Sequence, residues 1–441
     1  MRSTFVAREF VNRRLAILIT VLSVLLSSVA ASAQTPAAPP SVAPPSASPG
    51  AATQIPSETE REDFRKSMTH ILFPGRGCFI AQYPNTVWQQ VPCAPAPTKP
   101  SDVGAGIDTF AQVTGNISSA TGSFDSVSGV NGVYSPIDPA DSTTVHPNTY
   151  TLQLNTKAFS TTANNCNLIP GCLGWQQFIF SQRAACQGKP CVYIGYTLIG
   201  YPNPCPAGGP QGSSGWIYNP GSGFGSSCYL NTAPMIVSPV PTITDLQTLK
   251  LQGFPFSGGV DVAILQTANG DVHGIGEDDL LDLAGNWSGA EFNIFGDTSG
   301  FEAFLNSGSA LTVRLQVNNG TTNAPTCYSN TFGINSWGPA SLESNNLNLT
   351  GGCSTVGGAL PAIVFSETGG GSLPPGYTVG DTHLTTFYQV HYDFQASGDF
   401  VLVQADPGLV VQTRQTPAAT YPSVSLNTAV AEAAPENRTR G

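Results

Sequence analysis

The stretch GAEFNIFGD, Gly289 to Asp297, reads as a single β-strand. Ala290, Phe292 and Ile294 fall on one face; Glu291, Asn293 and Phe295 fall on the other. Trp287 before it, and Phe301 and Phe304 after it, look like core or cleft material. Glu is among the residues least often buried without a partner. The strand therefore predicts a sheet with one apolar face and one face that holds a carboxylate among aromatic rings.

The same grammar extends outward. Short β-branched or aromatic runs alternate with Gly/Ser/Asn/Pro turns, and glycine is abundant (47 residues). Strands are predicted at Phe110–Gly115, Tyr150–Thr156, Gln176–Gln182, Val192–Tyr201, Leu246–Leu251, Val260–Thr267, Ala290–Phe295, Leu311–Val317 and Pro361–Phe365. Only Glu58–His70 reads as a helix, with acids early and bases late, as the helix dipole prefers. With such large loops, the expected fold is all-β, a two-sheet antiparallel sandwich, followed by a short C-terminal β segment.

The N-terminus reads as a targeting segment. Arg2, Arg8, Arg13 and Arg14 precede an apolar run, Leu15 to Val29, and Ala31-Ser32-Ala33 forms a small-residue cleavage site. The run is short for a membrane span, although an uncleaved anchor is the alternative. The expected organisation is a signal peptide (1–33), a Pro/Ala-rich linker (34–62), an N-terminal segment that would serve as a propeptide (63–104), the sandwich (105–367), a Gly/Pro linker (368–379) and a C-terminal segment with a disordered tail (380–441). Secretion or display at the cell surface follows, with no membrane span once the signal is cleaved.

Cleavage would take away four Arg and one Glu and move the net charge from −11 to −14. Nucleic acid and anionic lipid are poor partners for such a chain. All ten cysteines lie beyond the signal, an even number that in an exported chain suggests disulfides. Nearest-neighbour pairing is the simplest arrangement, for example Cys205 with Cys228 and Cys327 with Cys353. There is no CxxC pair and no HExxH, and the five histidines are scattered. No metal or cofactor is expected.

Two stretches could carry chemistry. GWQQFIFS, Gly174 to Ser181, holds adjacent glutamines that face opposite ways on a strand. A side-chain amide can donate to a developing oxyanion. Glu291, beside aromatic rings, could act as general acid or base. Each stretch alone has an ordinary reading too: a surface or hydrogen-bonded Gln, and a salt-bridged Glu or a Glu on an edge strand in water.

Taken together and in this order, the region from about Ile107 to Val317 resembles the glutamic peptidases, or eqolisins. Gly289-Ala290-Glu291-Phe292, followed by Ile294, Phe295 and Asp297, is similar to the segment carrying that family's catalytic Glu. Trp175-Gln176-Gln177-Phe178, followed by Tyr193, Tyr196 and Tyr201-Pro202, is similar to the region of its catalytic Gln. Gln176 is the first match and Gln177 the second. Ser118 to Val130 resembles an early strand of that family. The family's Trp and Asp before the Gln have no match in Leu152-Gln153-Leu154-Asn155-Thr156, and the string Ala263 to Thr267 copies letters of the Gln motif at the wrong place in the strand order. The resemblance implies a β-sandwich endopeptidase acting at acid pH on a polypeptide substrate, with Trp175, Tyr193 and Trp287 lining the substrate site.

GDTHLTTFYQVHYDFQASGDFVLV, Gly380 to Val403, resembles the opening of a von Willebrand factor type D domain. It implies adhesion or assembly rather than catalysis. Alternation predicts strands at Thr386–Gln395, Asp399–Gln404 and Val410–Thr416. A partial sheet of this kind leaves edges open to pairing with another copy. The alternative to a peptidase is a non-catalytic surface sandwich that binds glycan or protein through its aromatic residues, or a purely structural envelope protein.

Overall fold

Alternating apolar residues demand a partner surface, and here two sheets supply it to each other. The computed structural model describes residues 57–100, 109–138, 141–222, 225–256, 259–297, 302–328, 345–371, 377–379, 383–385, 391–405, 409–418 and 423–433. The expected signal peptide and most of the linker lie outside the described residues, as do Phe301 and much of 380–390.

The chain forms an all-β sandwich of two nine-stranded antiparallel sheets. The front sheet runs in spatial order Gln89–Val91, Gly77–Ala81, Val272–Asp278, Val260–Gln266, Lys250–Pro255, Ser119–Ser128, Ser309–Asn318, Ala362–Gly369 and Leu347–Val356. The back sheet runs Ile217–Ser222, Gly225–Asn231, Lys189–Ile199, Leu173–Cys186, Thr151–Thr156, Gly289–Phe295, Phe110–Gln112 and Thr326–Tyr328; Met235–Ile236 pairs beside it. The strand of Glu291 is thus internal to the back sheet.

Aromatic rings on the inner faces set how closely the sheets approach. Phe292, next to Glu291, lies on Gly122 of the front sheet, where an added Cβ would come within 2.0 Å of the ring. Phe178, next to Gln177, lies on Gly253, where a Cβ would meet the ring at 2.6 Å. No larger residue fits at either glycine unless the facing ring shifts. Each buried Phe of this kind is worth roughly 1.5–3 kcal/mol of transfer free energy. Two rings flanking the candidate site residues therefore anchor both of their strands to the core.

All ten cysteines pair with their nearest neighbours: Cys78–Cys93, Cys166–Cys172, Cys186–Cys191, Cys205–Cys228 and Cys327–Cys353. The last joins Thr326–Tyr328, an edge of the back sheet, to Leu347–Val356, an edge of the front sheet, and so closes one side of the sandwich. The helix spans Glu58–Met68 and begins inside the stretch assigned to the linker. Ser57 and Glu60 cap it reciprocally. Its Phe64 and Met68 pack on the outer face of the front sheet against Val262, Ile264 and Val272.

Two local expectations are corrected. Leu246–Leu251 is not one strand: Ile243–Thr248 forms a 3₁₀ turn capped by Thr242 and Asp245, and the strand starts at Lys250. A local capping pair outcompetes the apolar alternation there. The polar stretch after Thr416 contains a strand, Ser425–Ala433, which pairs with Leu409–Pro417. With Gly398–Ala405 it completes a three-stranded sheet. A separate small sheet comprises Tyr377–Val379, His383–Thr385 and His391–Asp393. Among the described residues no helix is long and apolar enough to cross a membrane.

Candidate functional site

Strand period puts alternate residues of the back sheet on opposite faces, and register decides which of them meet. Glu291 stands opposite Asn155, and Asn155 opposite Gln177. The row continues through Gly195 to Asn231 on one side and through Phe110 to Tyr328 on the other. These side chains all point away from the inter-sheet core. Phe110 and Tyr328 stack with ring centroids 5.1 Å apart, and the Lys157 ammonium lies 5.9 Å from the Phe110 centroid.

The polar members of this face are linked by side-chain hydrogen bonds. Asn155 Nδ2 donates to Glu291 Oε2 at 3.3 Å. Gln177 Nε2 donates to Gln153 Oε1 at 2.8 Å and to Asn155 Oδ1 at 3.2 Å. Gln153 Nε2 donates to Thr151 Oγ1 at 2.9 Å. Further along the strand of Glu291, Asn293 Nδ2 donates to Glu367 Oε1, which belongs to the front sheet, at 2.9 Å, and Asn345 Nδ2 donates to Glu367 Oε2 at 3.2 Å. Glu291, Asn155, Gln153, Gln177 and Asn293 are all at most 2% exposed. A polar layer buried this deeply has to satisfy its donors and acceptors internally.

At the end of the layer sits Asp297. It accepts from Ser181 Oγ at 2.6 Å and from the backbone N–H groups of Arg183 (2.9 Å) and Ala184 (2.7 Å). Burial pushes its carboxyl up to about 7, against these three bonds, which favour the anion.

The two candidate glutamines part company. Gln177 shares the face of Glu291, with the Asn155 strand between them. Gln176 points between the sheets, where its Nε2 donates to Asp261 Oδ2 of the front sheet at 2.8 Å. Trp175 and Tyr193 lie on the outer face with Gln177, both fully buried. Trp287 lies in the inter-sheet core instead. It packs against Phe178, and its Nε1 donates to Gly289 O at 2.9 Å. Val260–Gln266, which carries most of the string resembling the Gln motif, belongs to the front sheet, across the sandwich from Glu291.

Sequence reading missed Asn155, Gln153, Asn293, Glu367 and Asp261. The signal for the first two was present in Thr151-x-Gln153-x-Asn155, a polar stripe alternating with Leu152 and Leu154. Such a stripe ordinarily reads as a water-facing surface. Glu367 and Asp261 come from strands distant in sequence, and only the packing brings them to their amide partners.

The outer face of the front sheet carries a different feature, a groove of about 210 Å³ lined by Phe73, Trp88, Phe254, Phe256 and Ile264. Among the described residues no group of three His, Cys, Asp or Glu side chains is placed to hold a metal ion.

No protein-family model matches this chain, and no curated protein matches it.

Proposed function

We propose that the outer face of the back sheet is the working surface of a secreted, acid-acting endopeptidase of the glutamic type. The supporting observation is that Glu291 and Gln177, from sequence segments more than a hundred residues apart, lie on one face of one sheet and are bridged through Asn155. In this reading the Glu291 carboxylate takes a proton from water as the water oxygen adds to the peptide carbonyl. The Gln177 amide donates to the oxyanion. Protonated Glu291 then passes its proton to the leaving amine as the C–N bond breaks. No metal enters these steps.

Both Gln177 amide hydrogens are engaged in the structure as it stands, to Gln153 and to Asn155. The longer bond, to Asn155, is the one that would yield to an oxyanion. Trp175 and Tyr193 flank Gln177 on this face and would contact the substrate. Gln176 has no part in this proposal, because it faces the core. The C-terminal strands, Gly398–Ala405 and Ser425–Ala433, have unpaired outer edges among the described residues, with Val401 and Val430 exposed. They would serve attachment or self-association.

A second reading is a non-catalytic surface sandwich that binds glycan or protein. The aromatic groove around Trp88, Phe254 and Phe256 favours it, since such sites are commonly apolar and aromatic-lined. One assay separates the two. Hydrolysis of an unfolded protein is followed from acid to neutral pH with pepstatin present. Acid activity that falls at least about 100-fold in Glu291→Gln supports the peptidase. Equal activity in wild type and Glu291→Gln, or none in either, favours the binding reading.

A further inference from the structure

Between the sheets, the Gln176–Asp261 pair presents a hydrogen-bonding deficit. Both residues are fully buried. Gln176 Nε2 donates to one carboxylate oxygen, Asp261 Oδ2. The other oxygen of each group, Gln176 Oε1 and Asp261 Oδ1, has no donor at all. Two buried acceptors orphaned in the same pair are costly, and a buried carboxylate with one strong donor costs more still. One hydrogen atom placed on Asp261 Oδ1 and directed at Gln176 Oε1 would satisfy both. The result is a neutral, two-way acid–amide pair.

We propose that Asp261 holds a proton in the folded protein, and that the Gln176–Asp261 pair is a neutral lock between the two sheets which opens when that proton is lost.

The surroundings favour the neutral form. Tyr196, from the neighbouring back-sheet strand, gives its hydroxyl to Asp278 O at 2.8 Å and reaches Asp261 Oδ2 only at 3.4 Å. Glu277 stands directly opposite Asp261 in the front sheet. Asp278 and Asp279 follow it. Arg76 is engaged with Asp278. Burial first, and then Asp279, hold the Asp261 carboxyl well above the ordinary carboxylate range. Burial likewise raises Glu277 and Asp279. The pair joins Leu173–Cys186 of one sheet to Val260–Gln266 of the other, so its charge state acts on the packing of the whole sandwich.

The direction follows from linkage. In the unfolded chain the carboxyl titrates near ~3.9; in the folded protein it titrates higher. The stabilisation is complete below ~3.9 and is lost as pH rises toward the folded value, because the unfolded state releases the proton first. Across that window the folding equilibrium constant falls by up to about tenfold per pH unit for this one group. The device makes an acid-tolerant fold that loosens toward neutrality.

Two measurements on the mature chain test this. With ¹³C-labelled aspartate, the protonated-carboxyl infrared band should persist above the ordinary aspartate range in the wild type, and Asp261→Asn should remove one component of it and leave that of Asp297. Asn can repeat the two-way pairing without titrating. Asp261→Asn should therefore keep the acid-pH fold and move the upper pH limit of stability up by about one unit or more. Wild-type protein whose protonated-aspartate band disappears within the ordinary aspartate range would overturn the proposal, whatever the variant does. So would a folded Asp261→Asn whose pH dependence matches the wild type. Where Asp261→Asn does not fold, Asp297→Asn carries the test, because a protonated-aspartate band should still persist above the ordinary aspartate range once Asp297 is removed.

Discussion

Gln176 and Gln177 are neighbours in the chain, yet on opposite faces of one strand the first reaches a carboxylate directly and the second only through an intervening amide. Gln177 joins a layer of amides and hydroxyls on the outer face of the back sheet, where Asn155 stands between it and Glu291. Gln176 meets Asp261 directly, between the sheets, and Gln176 Oε1 and Asp261 Oδ1 are left without a donor. The first arrangement is a network of amides and a hydroxyl that satisfy one another. The second is a closed pair whose only adjustable part is a proton.

The comparison breaks most sharply under substitution of each glutamine. Gln177→Leu should lower acid peptidase activity by about 100-fold or more while the protein stays folded, because it removes an oxyanion donor. Gln176→Leu should leave the activity of the folded fraction within about twofold but cost roughly 2 kcal/mol in denaturant unfolding, since Asp261 loses its one strong donor. Equal effects of the two changes on turnover would erase the distinction.

A structural test comes next in size. Replacing Cys327 and Cys353 with Ser removes the clamp between the sheet edges and should cost about 2–4 kcal/mol, read from urea midpoints. The upper pH limit set by Asp261 should stay where it was, because that lock lies elsewhere between the sheets. The smallest expected change serves as a control. Ser57→Ala removes the cap of the helix on the far face of the front sheet and should cost about 1 kcal/mol. Neither activity nor pH limit should respond.

Much of this organisation was legible in the chain. The alternation of Ala290, Phe292 and Ile294 against Glu291 and Asn293 predicted both faces of the central strand correctly, because a period of two leaves few alternatives. Nearest-neighbour pairing was the simplest arrangement of the cysteines, and the structure has it. Short-range capping was harder to weigh, so Leu246 to Thr248, the end of the 3₁₀ turn capped by Thr242 and Asp245, was read as the start of a strand. The tail strand Ser425–Ala433 was missed because its alternation is sparse and its composition polar.

The sequence by itself determined that the chain is all-β and that Glu291 faces away from Phe292. These properties depend on residues adjacent in the chain, where covalent geometry and side-chain period leave little freedom. Only the tertiary structure decided that Gln177, rather than Gln176, shares a face with Glu291, that Asn155 stands between them, and that Asp261 closes on Gln176. Those facts depend on strand order and on which sheet lies opposite, and both are set by the packing of rings such as Phe292 on Gly122 and Phe178 on Gly253. No local pattern encodes them, because the partners lie far away in sequence and meet only when both sheets are assembled.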